Sequence, residues 1–147
     1  MRLHVRRSGE GSPSIVFVHG LGMSGATWQA VVDVLAPVHE TLAIDLLGHG
    51  ESPLPEDPAE YTRDAALDDL DQVIASAAGP VVLVGHSFGG GVAVRLAHDH
   101  RNRARSLVLV NSVGGSSWRS GRTLRSIAER PLWDWGDRKS TRLNSSH

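Results

Sequence analysis

Four aliphatic residues, Val81-Val82-Leu83-Val84, run directly into Gly85-His86-Ser87-Phe88-Gly89, and Gly90 and Gly91 lead on into a stretch carrying Val92, Ala93, Leu96 and Ala97. The aliphatic run reads as a buried strand, and the spacing of the second set reads as one face of a helix. No room is left between them for a loop. The chain must turn sharply from strand to helix, with Ser87 at the turn. So tight a turn strains its central residue, exposes the hydroxyl and demands small neighbours two residues to either side, hence Gly85 and Gly89. Gly90 and Gly91 let the helix lie close to the sheet. The string G-x-S-x-G is weak by itself; its place between strand and helix makes it specific.

The rest of the chain repeats this alternation. Ile15-Val16-Phe17-Val18, Thr41-Leu42-Ala43-Ile44 and Leu107-Val108-Leu109-Val110 read as further strands. Between the first two, Ser24 is placed to cap a helix carrying Trp28, Val31, Val32 and Leu35, which Pro37 helps to end. Residues 46–60 are rich in Gly, Pro and acids and read as a long loop. Thr62 then caps a helix with Ala66, Leu67, Leu70, Val73 and Ile74 on one face, and Gly79-Pro80 ends it. Short apolar strands alternating with amphipathic helices predict an α/β fold: a three-layer sandwich with a mostly parallel sheet covered on both faces. No internal repeat is present.

Composition narrows the function. The chain has 147 residues, one modest domain's worth, and its 15 basic against 16 acidic side chains offer no basic field for nucleic acid. The absence of Cys excludes a thiolate metal site and a cysteine nucleophile. No stretch approaches the length of a membrane span, and no apolar run follows the first charges, so the expected location is the cytoplasm. A Walker loop needs a Lys after its last Gly, which nothing here supplies. Gly48-His49-Gly50 has Pro53 where a dinucleotide-binding loop needs its third Gly. No cofactor and no metal are expected.

A Ser raised on such a turn is suited to nucleophilic attack if nearby N–H groups receive the negative charge that develops on the substrate. Two such donors are candidates: the backbone N–H of Phe88, after Ser87, and that of Leu21, in the loop His19-Gly20-Leu21-Gly22 that follows the first strand. Gly20, Met23 and Phe88 are the candidate substrate contacts. His19 reads as a brace for its loop. Asp45 and Ser52, flanking Gly48 and Gly50, read as structural hydrogen-bonding partners of loop backbone. His86 is expected to point away from the Ser87 side chain, as a packing or loop-bracing residue.

Three motifs, Val18-His19-Gly20-Leu21-Gly22, Asp45-x-x-Gly48-x-Gly50-x-Ser52 and Gly85-His86-Ser87-Phe88-Gly89-Gly90, occur in the order and at the spacing of the α/β-hydrolase superfamily, which residues 2–136 resemble. The resemblance implies a Ser nucleophile working with an acid and a His on an ester, amide, thioester or activated carbon–carbon bond, without a cofactor. Ser at position 87 sets the chain apart from the dehalogenase and epoxide-hydrolase branches, which place Asp there. The strands ending at Val18, Ile44, Val84 and Val110 correspond to the third to sixth of the family's eight. The fold is thus expected to stop after about the sixth strand, with a lid beginning near 114–136.

The acid and the His that should follow Ser87 are not found. His98, Asp99 and His100 lie at the far end of the helix that Ser87 begins, some 15 Å away at about 1.5 Å per residue. Glu129 is a further acid after Ser87, and Asp134 follows no strand. Residues 137–147, Asp-Arg-Lys-Ser-Thr-Arg-Leu-Asn-Ser-Ser-His, contain the chain's only Lys and match the one-frame translation of a common short-read sequencing adapter; they read as a non-native tail. The acid and the His are therefore unassigned, and an open edge at Leu107–Val110 predicts marginal stability. The expectation is a serine hydrolase acting on a small ester or related acyl substrate, active as a full-length parent and inactive as this chain. The alternatives are a non-catalytic small-molecule-binding protein on the same fold, or a cofactor-free perhydrolase or acyltransferase. The oligomeric state is open.

Overall fold

The computed structural model describes residues 2–57 and 63–112. The expected Thr62 cap, the lid region and the tail lie outside these residues. Five strands form one sheet in the order β1-β3-β2-β4-β5: β1 Val5–Ser8, β2 Ser14–Val18, β3 Thr41–Ile44, β4 Val81–His86 and β5 Ala104–Val110. β2 pairs in parallel with β3 and β4, and β4 with β5, while β1 joins β3 antiparallel. The helices are α1 Gln29–Leu35, entered through a 3₁₀ turn at Gly25–Trp28, then α2 Arg63–Ser76 and α3 Phe88–Asp99.

The continuous apolar runs have a direct cause. β2 is buried on both faces. Its Val16 and Val18 pack with Leu42, Ile44 and Leu83 against Leu70, Val73 and Ile74 of α2 and Ala93 and Leu96 of α3. Ile15 and Phe17 point the other way and meet Trp28 and Val32. The Phe17 and Trp28 rings lie 5.0 Å apart. Two helical layers around one sheet make the three-layer sandwich that the sequence predicts.

Two local expectations need correction. The Ser24 side chain makes no capping hydrogen bond; its carbonyl accepts the Thr27 N–H at 3.1 Å, because the entry is a 3₁₀ turn. Val31 is 42% exposed, whereas Trp28 and Val32 are buried. The short α1 presents only a narrow stripe to the sheet, and Val31 falls on its flank. β1 carries no apolar run, and its sequence, Val-Arg-Arg-Ser, does not announce a strand. It is an edge strand held by its neighbours: Arg7 pairs with the buried Glu40, which also accepts Ser14 Oγ at 2.5 Å and the Ala78 N–H at 2.9 Å.

Among the described residues β5 ends the sheet on the other side. Leu107, Val108, Leu109 and Val110 are all exposed, between 38% and 45%. No described helix is long and apolar enough to cross a membrane.

Candidate active site at the strand carboxyl ends

Parallel strands deliver β2, β3, β4 and β5 to one end of the sheet, and the motif residues gather there. Ser87 joins β4 to α3 with φ 53° and ψ −119°, a backbone region that a residue with a side chain enters only when its surroundings compel it. The glycines make this possible. A Cβ on Gly85 would lie 2.6 Å from Gly90 Cα, and one on Gly89 would lie 2.7 Å from the Val18 carbonyl carbon. The next strand end supports the turn. The Ser87 N–H donates to the Val110 carbonyl at 3.2 Å, and the Ser87 carbonyl accepts the Gly90 N–H at 3.0 Å and Ser112 Oγ at 3.4 Å. Asn111, between Val110 and Ser112, also has a positive φ of 42°.

The loop after β2 lies against this turn. A Cβ on Gly20 would stand 3.2 Å from Ser87 Cβ, 3.2 Å from His86 Nδ1 and 3.4 Å from Met23 Sδ. Gly20, Met23, His86 and Ser87 therefore converge on one spot. Leu21 is half-buried and packs on the core, and the buried Phe88 opens α3. Gly22 needs its freedom, at φ +73°. His19 is fully buried: its Nδ1 lies 2.7 Å from the Gly20 carbonyl and its Nε2 accepts the Leu46 N–H at 3.0 Å. Those two partners require a neutral ring with the proton on Nδ1. Burial lowers the His19 pKa, with His49 opposing its charge from 5.2 Å; the Gly20 carbonyl and Asp45 pull the other way and lose. His19 braces the loop, as the sequence suggests.

Asp45 is a second brace. Its carboxylate accepts the Gly25 N–H at 2.5 Å, the Glu51 N–H at 2.9 Å and His4 Nδ1 at 2.9 Å. Burial alone would raise its pKa. The Glu51 and Gly25 amides, His4 and Arg6 together hold it below the usual value. Ser52 Oγ donates to the Asp45 carbonyl at 2.5 Å and accepts the His4 N–H at 2.8 Å. Gly50, at φ +53°, lets the loop wrap the carboxylate: a Cβ there would lie 2.7 Å from Oδ1. His4, Asp45 and Glu51 place donor atoms within 4.8 Å of one another, and Arg6 supplies positive charge among them, 2.7 Å from Glu51. Nothing in the sequence around His4 signals this partnership, which depends on β1 lying beside β3.

The groups after Ser87 are engaged elsewhere. Asp99 pairs with Arg95 and with His98, and His100 Nε2 lies 2.6 Å from Asp71 on α2. Glu129 and Asp134 lie outside the described residues. His86 packs against Gly20 without bracing it by a hydrogen bond: among the described residues its Nδ1 is buried and has no partner.

The sheet order, the strained Ser87 and the flanking loops agree with the match of residues 13–142 to the family model for the alpha/beta hydrolase fold. The chain belongs to the α/β hydrolase fold family. A 2-hydroxymuconate semialdehyde hydrolase of Pseudomonas sp. (strain CF600) is 40% identical over 120 residues, 79% of this chain and 42% of that protein. A pimeloyl-[acyl-carrier protein] methyl ester esterase of Nitrosomonas europaea is 34% identical over 143 residues, 95% of this chain and 48% of that protein. A solved marine microorganism esterase superposes with a TM-score of 0.64 at 28% identity, over 74% of this chain and 41% of that one. The chain thus spans less than half the length of these α/β hydrolases. The family match runs past Gly136 into the segment that resembles an adapter.

Proposed function

We propose that this chain is the nucleophile-bearing part of a serine hydrolase that cleaves a small ester or related acyl bond, a carbon–carbon bond included, through an acyl-enzyme. The backbone of Ser87 carries this reading. A positive φ at a residue with a side chain is costly, and holding Ser87 there at the start of a helix raises its hydroxyl above the strand ends. In the proposed reaction Ser87 Oγ attacks the substrate carbonyl carbon while a His takes the hydroxyl proton. The amides of Leu21 and Phe88 receive the oxyanion, helped by the positive end of α3. The leaving group departs with the proton, and water then hydrolyses the acyl-Ser87 ester. Gly20, Met23 and Phe88 line the acyl side.

No residue of this chain is assigned as the His or the acid. Without its base a Ser hydroxyl is a weak nucleophile, so the 147-residue chain alone is inactive in this reading. Residues 1–136 would form the N-terminal portion of the domain, with the lid beginning near 114–136. The Ser at position 87 supports the ester-cleaving branch, and the relatives named as hydrolase and esterase agree with it. The test is turnover of 4-nitrophenyl butanoate by the full-length protein and its Ser87→Ala variant. A loss of 10³-fold or more in kcat supports the reading. Equal, measurable rates would take the nucleophile role from Ser87, and no turnover by the full-length protein would replace the reading with a binding protein on the same fold. An acyltransferase or perhydrolase would show instead as a rate that depends on an added acceptor.

A further inference from the structure

His86 Nδ1 is a buried polar atom beside Ser87 that the proposed reaction does not use. His86 ends β4, next to Ser87. Its Nδ1 is closed off from solvent and has no hydrogen-bond partner among the described residues. Such an atom is rare in a folded protein because losing water without replacement is costly, and each instance calls for an explanation. Among the described residues Arg6 Nε and Trp28 Nε1 are the other buried side-chain atoms without a partner, whereas the neighbouring His19 has both ring nitrogens engaged. The orphaned atom faces Gly20, and the two groups that share the spot with it are Ser87 Cβ and Met23 Sδ. Of these Met23 is the adjustable one. Its unbranched thioether has several rotamers available, it is half-buried, and the loop around it contains Gly22 at φ +73°.

From this juxtaposition we infer that His86 is the specificity-determining residue of the acyl pocket, selecting short hydroxyacyl substrates over unsubstituted ones, with Met23 as the side chain that yields. The inference rests on the reading of Ser87 as nucleophile. A substrate hydroxyl two carbons from the reacting carbonyl displaces the Met23 thioether and pairs with His86 Nδ1. A hydroxyl suits this place better than a carbonyl or an amine, because it both donates and accepts and so satisfies either tautomer of the ring. An unsubstituted chain leaves Met23 where it is and Nδ1 unpaired. His86 acts on the choice of substrate and takes no part in moving the Ser87 proton.

The experiment compares kcat/KM for 4-nitrophenyl 3-hydroxybutanoate and 4-nitrophenyl butanoate in the full-length protein, in His86→Phe and in His86→Asn. One neutral hydrogen bond corresponds to roughly three- to tenfold in kcat/KM. The wild type is expected to prefer the hydroxy ester by that factor. His86→Phe brings the ratio to about one, whatever happens to the common rate, and His86→Asn, which keeps a polar group near the Nδ1 position, restores part of it. A ratio that His86→Phe leaves unchanged, or a wild type without preference, overturns the inference. If neither ester is turned over, the nucleophile reading itself fails. Nitrogen-15 NMR of the His86 ring then decides separately: a change in the Nδ1 resonance with 3-hydroxybutanoate but not with butanoate sustains the binding role, and no difference ends it.

Discussion

The Nε2 of His19 accepts the Leu46 N–H at 3.0 Å, while Nδ1 of the same ring meets the carbonyl of Gly20. One buried imidazole thus joins the loop after β2 to the loop after β3 and holds the first against Ser87. Replacing it by Phe keeps the bulk but leaves a buried N–H and a buried carbonyl without their partner. Each such loss costs about 1–3 kcal/mol, so His19→Phe is expected to lower stability by about 2–6 kcal/mol. Urea unfolding followed by Trp fluorescence measures this, and an unchanged midpoint would show that the two loops do not depend on the ring.

The glycines of the turn separate crowding from dihedral strain. Gly85→Ala and Gly89→Ala drive a methyl into backbone and should leave little folded protein. Gly22→Ala meets nothing within 4 Å, so only its φ of +73° opposes the change. Its expected cost is about 1–2 kcal/mol. Circular dichroism melts of the three variants check the order. A Gly22→Ala as damaging as Gly89→Ala would contradict it.

Ser87 should carry a stability cost of its own. At φ 53° and ψ −119° a glycine sits without strain, so Ser87→Gly is expected to be more stable than Ser87→Ala by about 1 kcal/mol, after allowance for the larger unfolded-state entropy of Gly. Both lose the hydroxyl, so hydroxyl bonding cancels between them. A Ser87→Ala at least as stable as Ser87→Gly would remove the strain argument.

Acid should weaken the fold in two stages. The His19 pKa is lowered from 6.5, so between that value and the lowered folded one the unfolded chain binds more protons. Stability is complete above about pH 6.5 and falls as the pH drops below it. Glu40 and Asp45 are likewise lowered, from 4.5 and 3.8, and their contributions persist until the pH falls through those values and below. For Glu40, burial opposes the charge, while the Ala78 N–H, Ser14 and Arg7 outweigh it. Chemical denaturation from pH 8 to 3 should show the first decline in the wild type and lose it in His19→Phe. Asp45→Asn should remove part of the second.

Among the described residues β5 is the outer strand of the sheet on one side, and that edge is expected to promote association. Leu107, Val108, Leu109 and Val110 are exposed on the last described strand. An uncovered apolar edge pairs readily with another copy. Light scattering of the 147-residue protein should rise with concentration, and Val108→Lys should reduce it. A monodisperse monomer at high concentration would count against an open edge.

Strand and turn were legible in the sequence because their causes are local. Ile15–Val18 and Val81–Val84 are apolar at every position because both faces are covered, and Gly85 and Gly89 flank Ser87 because backbone passes within contact of each. The periodicity also gave α3 its inward face. For α1 it rightly placed Trp28, Val32 and Leu35 on the core but not Val31, which is 42% exposed.

What the sequence determined alone is the alternation of strands and helices, the sharp turn at Ser87 and the family that goes with them. These follow from side-chain polarity and backbone sterics within a few residues. Tertiary structure alone decided that Val5–Ser8 is a strand, that Glu40 gathers Arg7, Ser14 and Ala78, that His4 partners Asp45 across 41 positions, and that His86 brings a buried nitrogen, unpaired among the described residues, beside Gly20. Each of these depends on which distant segments the parallel sheet brings side by side, and no pattern along the chain records that.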